Sequence, residues 1–371
     1  MRSLVVTPTP THPADQGNRA RVHQIASALR KVGSVDLLYS AVDGLDQASV
    51  EAMRRCWDAV FIVPPASFRP QRRLPDHWGL DEWVSPNLME AARTLAASAD
   101  YDVVVVNYVW CSWVLTLFDP ARTVRVLDTH DAFGDRHLHT RAAGMQPHWF
   151  YTTQAEEARG LDRADVVLAI QAEEGRQFRS LTQRRVEVIE YAVPPVELPP
   201  RVGPGVVVGY FGSGNPWNVE SLEVFDAMLA KCLHLPATFL AIGGVTRAAR
   251  GLRVFQSAGV VDAVADAYAP LDLVLNPMRG GTGLKIKTVE ALAHGRAVLS
   301  TRDGGLGLEA VHPDLLHADL DGLLARLLQL LDQPGQIAPL SRAMQAGYAT
   351  FAVDVARRLV GLVAEWSARR R

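Results

Sequence analysis

Short apolar runs that alternate with helical patterns limit this chain to a few folds. Each run is β-branched and apolar throughout, as expected for a strand that is covered on both faces of its sheet. Between the runs, apolar residues recur at helical spacing, as at Val22, Ile25 and Leu29. This alternation is typical of a doubly wound parallel sheet. The predicted strands lie at residues 4–7, 35–39, 60–63, 103–106, 124–127, 166–170 and 186–189.

A proline-rich stretch interrupts the alternation. Residues 191–204 contain five prolines, which continue neither a strand ladder nor a helix, so they predict an extended linker. The pattern then restarts. Strands are predicted at 206–211, 239–242, 254–255, 273–275 and 297–300, and helices at 218–232, 320–331 and 353–366, with Pro334 and Pro339 as interruptions.

The chain is long enough for two domains. Its 371 residues exceed what one hydrophobic core usually supports, and 48% apolar residues suffice for two. We therefore predict an α/β fold with two Rossmann-like doubly wound domains facing across a cleft, where small-ligand sites are common. The predicted segments are an N-terminal domain (1–192), a linker (193–205), a C-terminal domain (206–345) and a C-terminal helix (346–371).

Charge, cysteines and the N-terminus exclude several functions. A net charge of −2 argues against extended contact with nucleic acid. Cys56, Cys111 and Cys232 lie too far apart for a zinc motif and form no even disulfide framework, so we expect thiols in a reducing compartment. The N-terminal apolar run is too short for a signal peptide, and no run has the length of a membrane span. These features predict a cytoplasmic protein.

A loop with three glycines follows the predicted strand at 273–275 and opens a helix that ends at Gly295. The unpaired N–H groups of a helix start favour anions and lie in the crevice beyond the strand ends of such a sheet. Three cations in the loop strengthen the prediction of a diphosphate site, against the alternative of a glycine-rich turn with solvated lysines. The residues concerned are Arg279, Gly280, Gly281, Thr282, Gly283, Leu284, Lys285 and Lys287.

Glu290 lies further along the same helix. Its carboxylate could accept hydrogen bonds from a ribose diol, or it could be a first-turn carboxylate that balances the helix dipole.

Three other predicted strands end in polar or glycine-rich residues. At 15–19, Gly17 allows close backbone approach and a helix start at Asn18 offers N–H groups, although Asn18 could be an ordinary N-cap. Residues 128–131 can hydrogen-bond sugar hydroxyls, or simply cap a helix; no ligand cluster there supports a metal site. Gly212 and Ser213 begin a turn that is either an anion nest or a tight loop.

Residues 281–301, Gly-Thr-Gly-Leu-Lys-Ile-Lys-Thr-Val-Glu-Ala-Leu-Ala-His-Gly-Arg-Ala-Val-Leu-Ser-Thr, resemble the nucleotide-sugar motif of glycosyltransferase family 4, which has the GT-B fold. Segments 17–19, 128–131 and 165–171 support the resemblance, which covers nearly the whole chain. It implies transfer of a hexose-type sugar with retention of anomeric configuration, no obligatory metal and no cofactor besides the nucleotide-sugar donor. It also implies that the last helix crosses back to the first domain.

The resemblance assigns roles to individual residues. Glu290 would hold the ribose, Arg279 and Lys285 would counter the diphosphate charge, and His130 would touch the transferred sugar. His130, Arg279 and Lys285 are thus the candidate catalytic residues. The candidate donor-binding residues are Gly17, Asn18, Gly212, Ser213, Gly281, Thr282, Gly283, Leu284, Lys287 and Glu290, and those on the acceptor side are Asp15, Arg19 and Asp131.

Two departures from the family pattern concern the donor site. Many members carry a glutamate where this chain has Thr282, eight positions before Glu290. Many also carry an Arg and a Lys after the first strand of the second domain, where this chain has Ser213, Gly214 and Asn215. The phosphate cations are therefore expected to be Arg279, Lys285 and Lys287.

Several mechanisms and functions stay open. Fixed cations and helix N–H groups can stabilise a departing diphosphate without a proton donor, whereas an inverting reaction needs a base such as Asp15, His130 or Asp131. A non-catalytic sugar-nucleotide binding protein and an epimerase or phosphorylase of the same fold are the alternative functions.

The acceptor is expected to be a glycan, a lipid-linked molecule or a small molecule. Arginines at 69–73 with Trp78 and Trp83, and a tail with Trp366, would suit peripheral contact with an anionic inner membrane face. The alternative is a solvated loop and an amphipathic closing helix.

Overall fold

The protein is described here by a computed structural model that covers residues 1–371 except 15, 43, 66, 67, 143, 145, 148, 200, 262, 281, 282, 370 and 371. The chain divides into two compact units. The first contains Met1–Glu190 together with Arg357–Arg371, and the second contains Tyr191–Ala356.

The first unit is built on a seven-stranded parallel sheet in the order β3-β2-β1-β4-β5-β6-β7. All seven predicted strands are confirmed, because a run such as Val103–Val106 is fully buried and has no other way to pair its backbone. The order reverses between β1 and β4, where the loops after both strands emerge side by side. The strands are β1 (Arg2–Thr7), β2 (Ser34–Ser40), β3 (Ala59–Val63), β4 (Val103–Asn107), β5 (Val124–Asp128), β6 (Val166–Ala169) and β7 (Arg185–Val188), and the helices are α1 (Gly17–Arg30), α2 (Gln47–Cys56), α3 (Pro86–Ser98), α4 (Arg136–Ala142), α5 (Gln154–Leu161) and α6 (Ala172–Leu181), with a 3-10 helix at Val109–Leu117.

The second unit has a six-stranded parallel sheet in the order β10-β9-β8-β11-β12-β13. Here the order reverses between β8 and β11. The strands are β8 (Val206–Phe211), β9 (Ala237–Ile242), β10 (Gln256–Gly259), β11 (Leu273–Asn276), β12 (Ala297–Thr301) and β13 (Leu316–His317), and the helices are α7 (Pro216–Leu229), α8 (Val245–Ala248), α9 (Val264–Tyr268), α10 (Ile286–Ala293), α11 (Leu320–Asp332) and α12 (Ile337–Ala368).

Two sequence predictions in the second unit are wrong. The strand predicted at 254–255 is a loop whose N–H groups donate to the carboxylate of Asp226, and β10 begins one residue later. Pro339 does not interrupt the last helix, because it is the third residue of α12, where a missing N–H costs no hydrogen bond.

The segment after β7 has no regular secondary structure at residues 191–199 and 201–205. It is nevertheless attached to the second unit. The backbone N–H of Val196 donates to Ala293 at 2.7 Å, and the hydroxyl of Tyr348 donates to the carbonyl of Val193 at 2.8 Å.

The C-terminal part of α12 packs with the first unit, where Arg358 donates to the Glu190 carboxylate at 2.6 Å. Trp366 is 1% exposed, so this side chain lies in the core and does not offer an aromatic anchor to a membrane surface. Among the described residues, none of the helices combines the length and apolar character that crossing a bilayer requires.

Candidate functional site

The loops after β8 and β11 form a candidate anion site at the reversal of strand order in the second unit. β8 and β11 are neighbours, with Val208 opposite Leu273. The turn at Gly212 and Ser213 leads into α7, and the loop after β11 leads into α10. Two helix starts therefore lie at adjacent strand ends, where parallel α/β sheets bind ligands.

Lys287, the second residue of α10, lies beneath this site with neutral partners. Its ammonium donates to the hydroxyl of Tyr210 at 2.9 Å and to the side-chain oxygen of Asn218 at 2.8 Å, and it lies 4.4 Å from the centre of the Tyr210 ring. Burial, together with the neighbouring charge of Lys285, holds the pKa of Lys287 well below its usual value. An ammonium in these surroundings is stabilised by an added anion.

Asn218 connects Lys287 to the glycine turn after β8. Its side-chain amide donates to both the hydroxyl and the carbonyl oxygen of Ser213 at 3.1 Å. Gly212 fits here because a Cβ would lie 3.0 Å from the Tyr210 ring. Sequence reasoning missed Tyr210 and Asn218, since nothing in their local sequence indicates a contact with a lysine about 70 positions away.

The other two predicted cations have different surroundings. Lys285 is the residue just before α10, and its ammonium donates to the carbonyl of Gly283 at 3.0 Å, where φ is +75°. Arg279 forms an ion pair with Glu220 and is half-exposed. Leu284 is buried and precedes α10, so it lies in the loop and not in the helix.

Glu290 is a buried carboxyl with little hydrogen bonding. It is the fifth residue of α10, so the interpretation as a first-turn dipole partner is wrong. The Tyr268 hydroxyl lies 3.5 Å from its carboxylate and 3.0 Å from the carbonyl of Lys287, which is the better acceptor. Burial raises the pKa of Glu290 to about 7. The carboxyl therefore retains capacity for hydroxyl donors.

Asn276 and Thr288, which sequence reasoning also missed, hold the loop after β11 in place. The side-chain amide of Asn276 donates to the Thr288 hydroxyl and to the carbonyl of Gly304, both at 2.8 Å. A Cβ at Gly304 would lie 2.6 Å from the carbonyl oxygen of Asn276, so this close approach requires glycine.

A second cluster surrounds His130 at the end of β5 in the first unit. His130 has φ +62° and stacks on Tyr108 with 4.2 Å between ring centres. The side chain of Asn18 hydrogen-bonds the Tyr108 hydroxyl. The structure thus brings together Asn18 and His130, two predicted site residues, through a tyrosine that sequence reasoning missed.

Hydrogen bonds fix the tautomer of His130. The amide nitrogen of Asn107 donates to the carbonyl of Val6 at 2.9 Å, which turns the Asn107 oxygen toward Nε2 of His130 at 2.8 Å. Nε2 must therefore carry the proton, which leaves the Nδ1 lone pair as an acceptor. Burial lowers the pKa of His130 to about 4, although nearby Asp128 opposes this. The imidazole is neutral near pH 7.

The other polar residues at this strand end are already paired. Asp128 forms a fully buried ion pair with Arg21 at 2.9 Å, and Thr129 donates to the carbonyl of Leu168 at 3.0 Å. Asp128 and Thr129 are therefore engaged within the protein, and His130 and Asp131 remain the candidates for contact with a sugar. Asp131 remains partly exposed and accepts from Arg136 at 3.1 Å.

The start of α1 differs from its prediction. Asn18 is the second helical residue, not the N-cap, which is Gln16. Gly17 is the first residue of α1, and Arg19, the third, is partly exposed. Asp15, Gly281 and Thr282 lie outside the residues that the structure describes.

A cavity of about 810 Å³ lies in the first unit beside the His130 cluster. Trp110 lines it and stacks on Tyr108 with 4.4 Å between ring centres, which connects the cavity to His130. The indole N–H groups of Trp78 and Trp83 are buried and have no hydrogen-bond partner among the described residues. The residues that line the cavity include Phe68, Arg69, Trp78, Trp83, Trp110 and Trp149.

Comparisons with known proteins agree with this architecture. Residues 205–333, about a third of the chain, match the family model described as "Glycosyl transferases group 1". Sucrose-phosphate synthase from Thermosynechococcus elongatus superposes with a TM-score of 0.73 at 17% identity, over 99% of each chain. The fold is that of the GT-B glycosyltransferases.

Two further solved structures share this fold. Anabaena HepE, in complex with UDP and glucose, gives a TM-score of 0.68 at 16% identity, over 98% of this chain and 100% of HepE. A variant of S. aureus TarM, in complex with Fondaparinux, alpha-GlcNAc-glycerol and UDP, gives 0.66 at 7% identity, over 97% of this chain and 99% of TarM. No curated protein matches this sequence. The predicted fold class of two Rossmann-like α/β halves is confirmed, and the family match supports a group 1 glycosyltransferase.

Proposed function

We propose that this protein is a glycosyltransferase that moves a hexose-type sugar from a nucleoside diphosphate sugar to an acceptor. One observation carries the proposal. α10 presents a buried ammonium with neutral partners at Lys287 and, three residues later, a buried carboxyl with one long hydrogen bond at Glu290. A diphosphate would supply the anion that the Lys287 ammonium lacks. A ribose would supply the hydroxyl donors that the Glu290 carboxyl lacks.

The surroundings of Lys287 support a diphosphate in particular. Lys285 adds a second positive charge, and the start of α10, which no side chain caps, adds N–H groups. A glycosyl–phosphate bond that breaks leaves negative charge on the diphosphate, and fixed cations stabilise that charge more in the transition state than in the ground state. Arg279 contributes less, because Glu220 already neutralises it.

The state of His130 favours retention over inversion. An inverting transferase needs a base that takes the acceptor proton, and a base works best with a pKa near the working pH. Of the candidate bases that the structure describes, His130 has a pKa of about 4 and Asp131 is paired with Arg136; Asp15 lies outside the described residues. We therefore assign His130 to positioning, with Nδ1 accepting a hydroxyl of the transferred sugar. The departing phosphate takes the acceptor proton, and in this proposal Lys285 and Lys287 balance the diphosphate charge in place of a metal.

The tryptophan-lined cavity of the first unit supports a glycan acceptor. Flat aromatic rings present apolar faces for sugar rings. The TarM structure contains glycan ligands, which agrees with this acceptor class. The alternative function, a sugar-nucleotide epimerase, predicts instead that the sugar of the donor is interconverted without any acceptor.

The test is an assay of the full-length protein with a panel of nucleoside diphosphate sugars, followed by NMR of the product anomer. We expect slow hydrolysis of one donor without acceptor and transfer to a glycan with retention. Donor binding with neither hydrolysis nor transfer would instead favour a non-catalytic binding protein. An inverted product would refute the retaining mechanism.

A further inference from the structure

Three side chains of metal-binding type meet in the first unit, away from its sugar-directed residues. His12 lies in the segment between β1 and α1, His23 lies within α1, and Cys56 is the last residue of α2. One ring nitrogen of each histidine and the sulfur of Cys56 lie within 4.8 Å of one another. The positions 12, 23 and 56 follow no zinc motif, so only the fold reveals this group.

Hydrogen bonds orient both imidazoles. Nδ1 of His12 lies 2.9 Å from the hydroxyl of Thr11, which also accepts the indole N–H of Trp57 at 2.8 Å. Nδ1 of His23 lies 3.4 Å from the hydroxyl of Ser27. With Nδ1 engaged in each ring, Nε2 is the nitrogen available to a metal. Such outer partners fix the ring orientation in known metal sites.

We propose that His12, His23 and Cys56 form a binding site for a zinc-type divalent cation, with solvent as the fourth ligand. Imidazole and thiolate are ligands that select such metals over magnesium or calcium. Tetrahedral zinc places its nitrogen and sulfur ligands roughly 3.3–3.7 Å apart. The three groups therefore need to close by at most about 1 Å on binding, which side-chain rotation permits because all three residues are partly exposed.

The protonation change in this step is defined. Cys56 binds as a thiolate, so its thiol proton passes to the buffer as the sulfur–metal bond forms. Each histidine binds through the lone pair of one ring nitrogen and keeps the proton on the other. Binding thus releases about one proton per metal.

Two arginines lie near the site, where their positive charge repels a cation but also favours the thiolate of Cys56. Arg55 acts on His12 and Arg30 on Cys56 through their charges. The positive charge of Arg30 is partly balanced by an ion pair with Asp58 at 3.2 Å. The thiolate formed on binding reduces the remaining repulsion.

A metal here would hold the segment that connects β1 to α1. This segment contributes Pro8 and Thr9 to the lining of the tryptophan cavity and leads to Asn18, which contacts Tyr108. A metal would join it to α1 and to the end of α2. The role is therefore to position one wall of the cavity, and metal binding itself does not depend on the proposed transferase activity.

The test uses the metal-free full-length protein, titrated with Zn²⁺ by calorimetry in two buffers of different ionisation enthalpy. We expect one Zn²⁺ per chain and about one proton released. Co²⁺ should give the charge-transfer band of a thiolate ligand and the visible bands of a tetrahedral site. Millimolar Mg²⁺ should not compete. Absence of stoichiometric Zn²⁺ binding overturns the proposal.

Cys56→Ser and His23→Asn should each weaken Zn²⁺ binding at least about tenfold, and Cys56→Ser should abolish the proton release and the Co²⁺ charge-transfer band. Cys232→Ser is the matched control, because Cys232 is also a partly exposed free cysteine but lies in the second unit. If circular dichroism shows that Cys56→Ser or His23→Asn does not fold, the other of these two variants tests the site. Unchanged binding in a folded variant, or loss in Cys232→Ser, contradicts the site.

Discussion

The carboxyl of Glu290 has a pKa of about 7 because burial disfavours its charged form more than the single Tyr268 hydroxyl stabilises it. A ribose diol would donate to the ionised form and lower this pKa. Donor binding should therefore release a proton when the free protein is protonated. We expect affinity for a nucleoside diphosphate sugar to rise by up to about tenfold from pH 6 to pH 8, with about half of that factor gained below pH 7, and to level off near pH 8.

Calorimetric titration from pH 6 to pH 8 measures this effect. Glu290→Gln is the control, because glutamine cannot titrate and should bind weakly at every pH. Any titration of the donor itself is common to both proteins. If the variant and the wild type show the same pH profile, Glu290 does not hold the ribose.

Lys285 is the residue whose loss should most affect turnover. Its ammonium sits at the start of α10 and donates to the carbonyl of Gly283, beside the N–H groups expected to face the diphosphate. We expect Lys285→Ala to lower kcat by about 10²-fold, comparable to the loss of one preorganised oxyanion donor. Lys231→Ala, at an exposed lysine of the same unit, is the control. Activity of Lys285→Ala within about threefold of wild type would rule out this role.

At the scale of elements, replacing two glycines of α12 by alanine should change the stability of the protein in opposite directions. Gly361 has no neighbour within 4 Å of an added Cβ, whereas a Cβ at Gly347 would lie 2.0 Å from the carbonyl oxygen of Val311. Gly361→Ala should stabilise the protein by about 0.5–1 kcal/mol through helix propensity. Gly347→Ala should destabilise it by about 1–3 kcal/mol through overpacking. Urea denaturation of both variants measures the free energies, and equal effects would show that α12 is packed differently.

Strands that are covered on both faces could be predicted from sequence, whereas the exposed β10 and the two-residue β13 could not. β4 is apolar because its side chains are buried on both sides. β10, at Gln256–Gly259, is an edge strand with mostly exposed side chains, so its sequence carries no apolar signal. The prediction therefore fell on the adjacent apolar pair at 254–255, which is a loop.

The same distinction applies to the candidate sites. Lys287 and Glu290 lie three positions apart on one helix, so the sequence alone placed both in a single site. Tyr210 and Asn218 reach Lys287 from β8 and α7, and such long-range contacts leave no local pattern. The positive φ of His130 is equally unpredictable, because an L-residue adopts it only under tertiary constraint.

The whole molecule offers the most direct test of the donor site, because ligand binding to the folded state stabilises it by mass action. A nucleoside diphosphate at a hundredfold over its Kd should add about 2.7 kcal/mol. In a unit the size of Tyr191–Ala356, this corresponds to a rise in Tm of roughly 5–10 °C. Thermal denaturation of the full chain with UDP, GDP, ADP and dTDP should show this rise for one base.

Lys287→Met is the matched control for this experiment. It removes the buried charge while keeping much of the side-chain volume, so the protein should still fold. Its affinity for the diphosphate should fall, because Met supplies no charge, and the rise in Tm should shrink or disappear. A shift of equal size in the variant would place the nucleotide elsewhere. If none of the four nucleotides raises the Tm of the wild type, α10 does not bind a nucleoside diphosphate and the donor proposal fails.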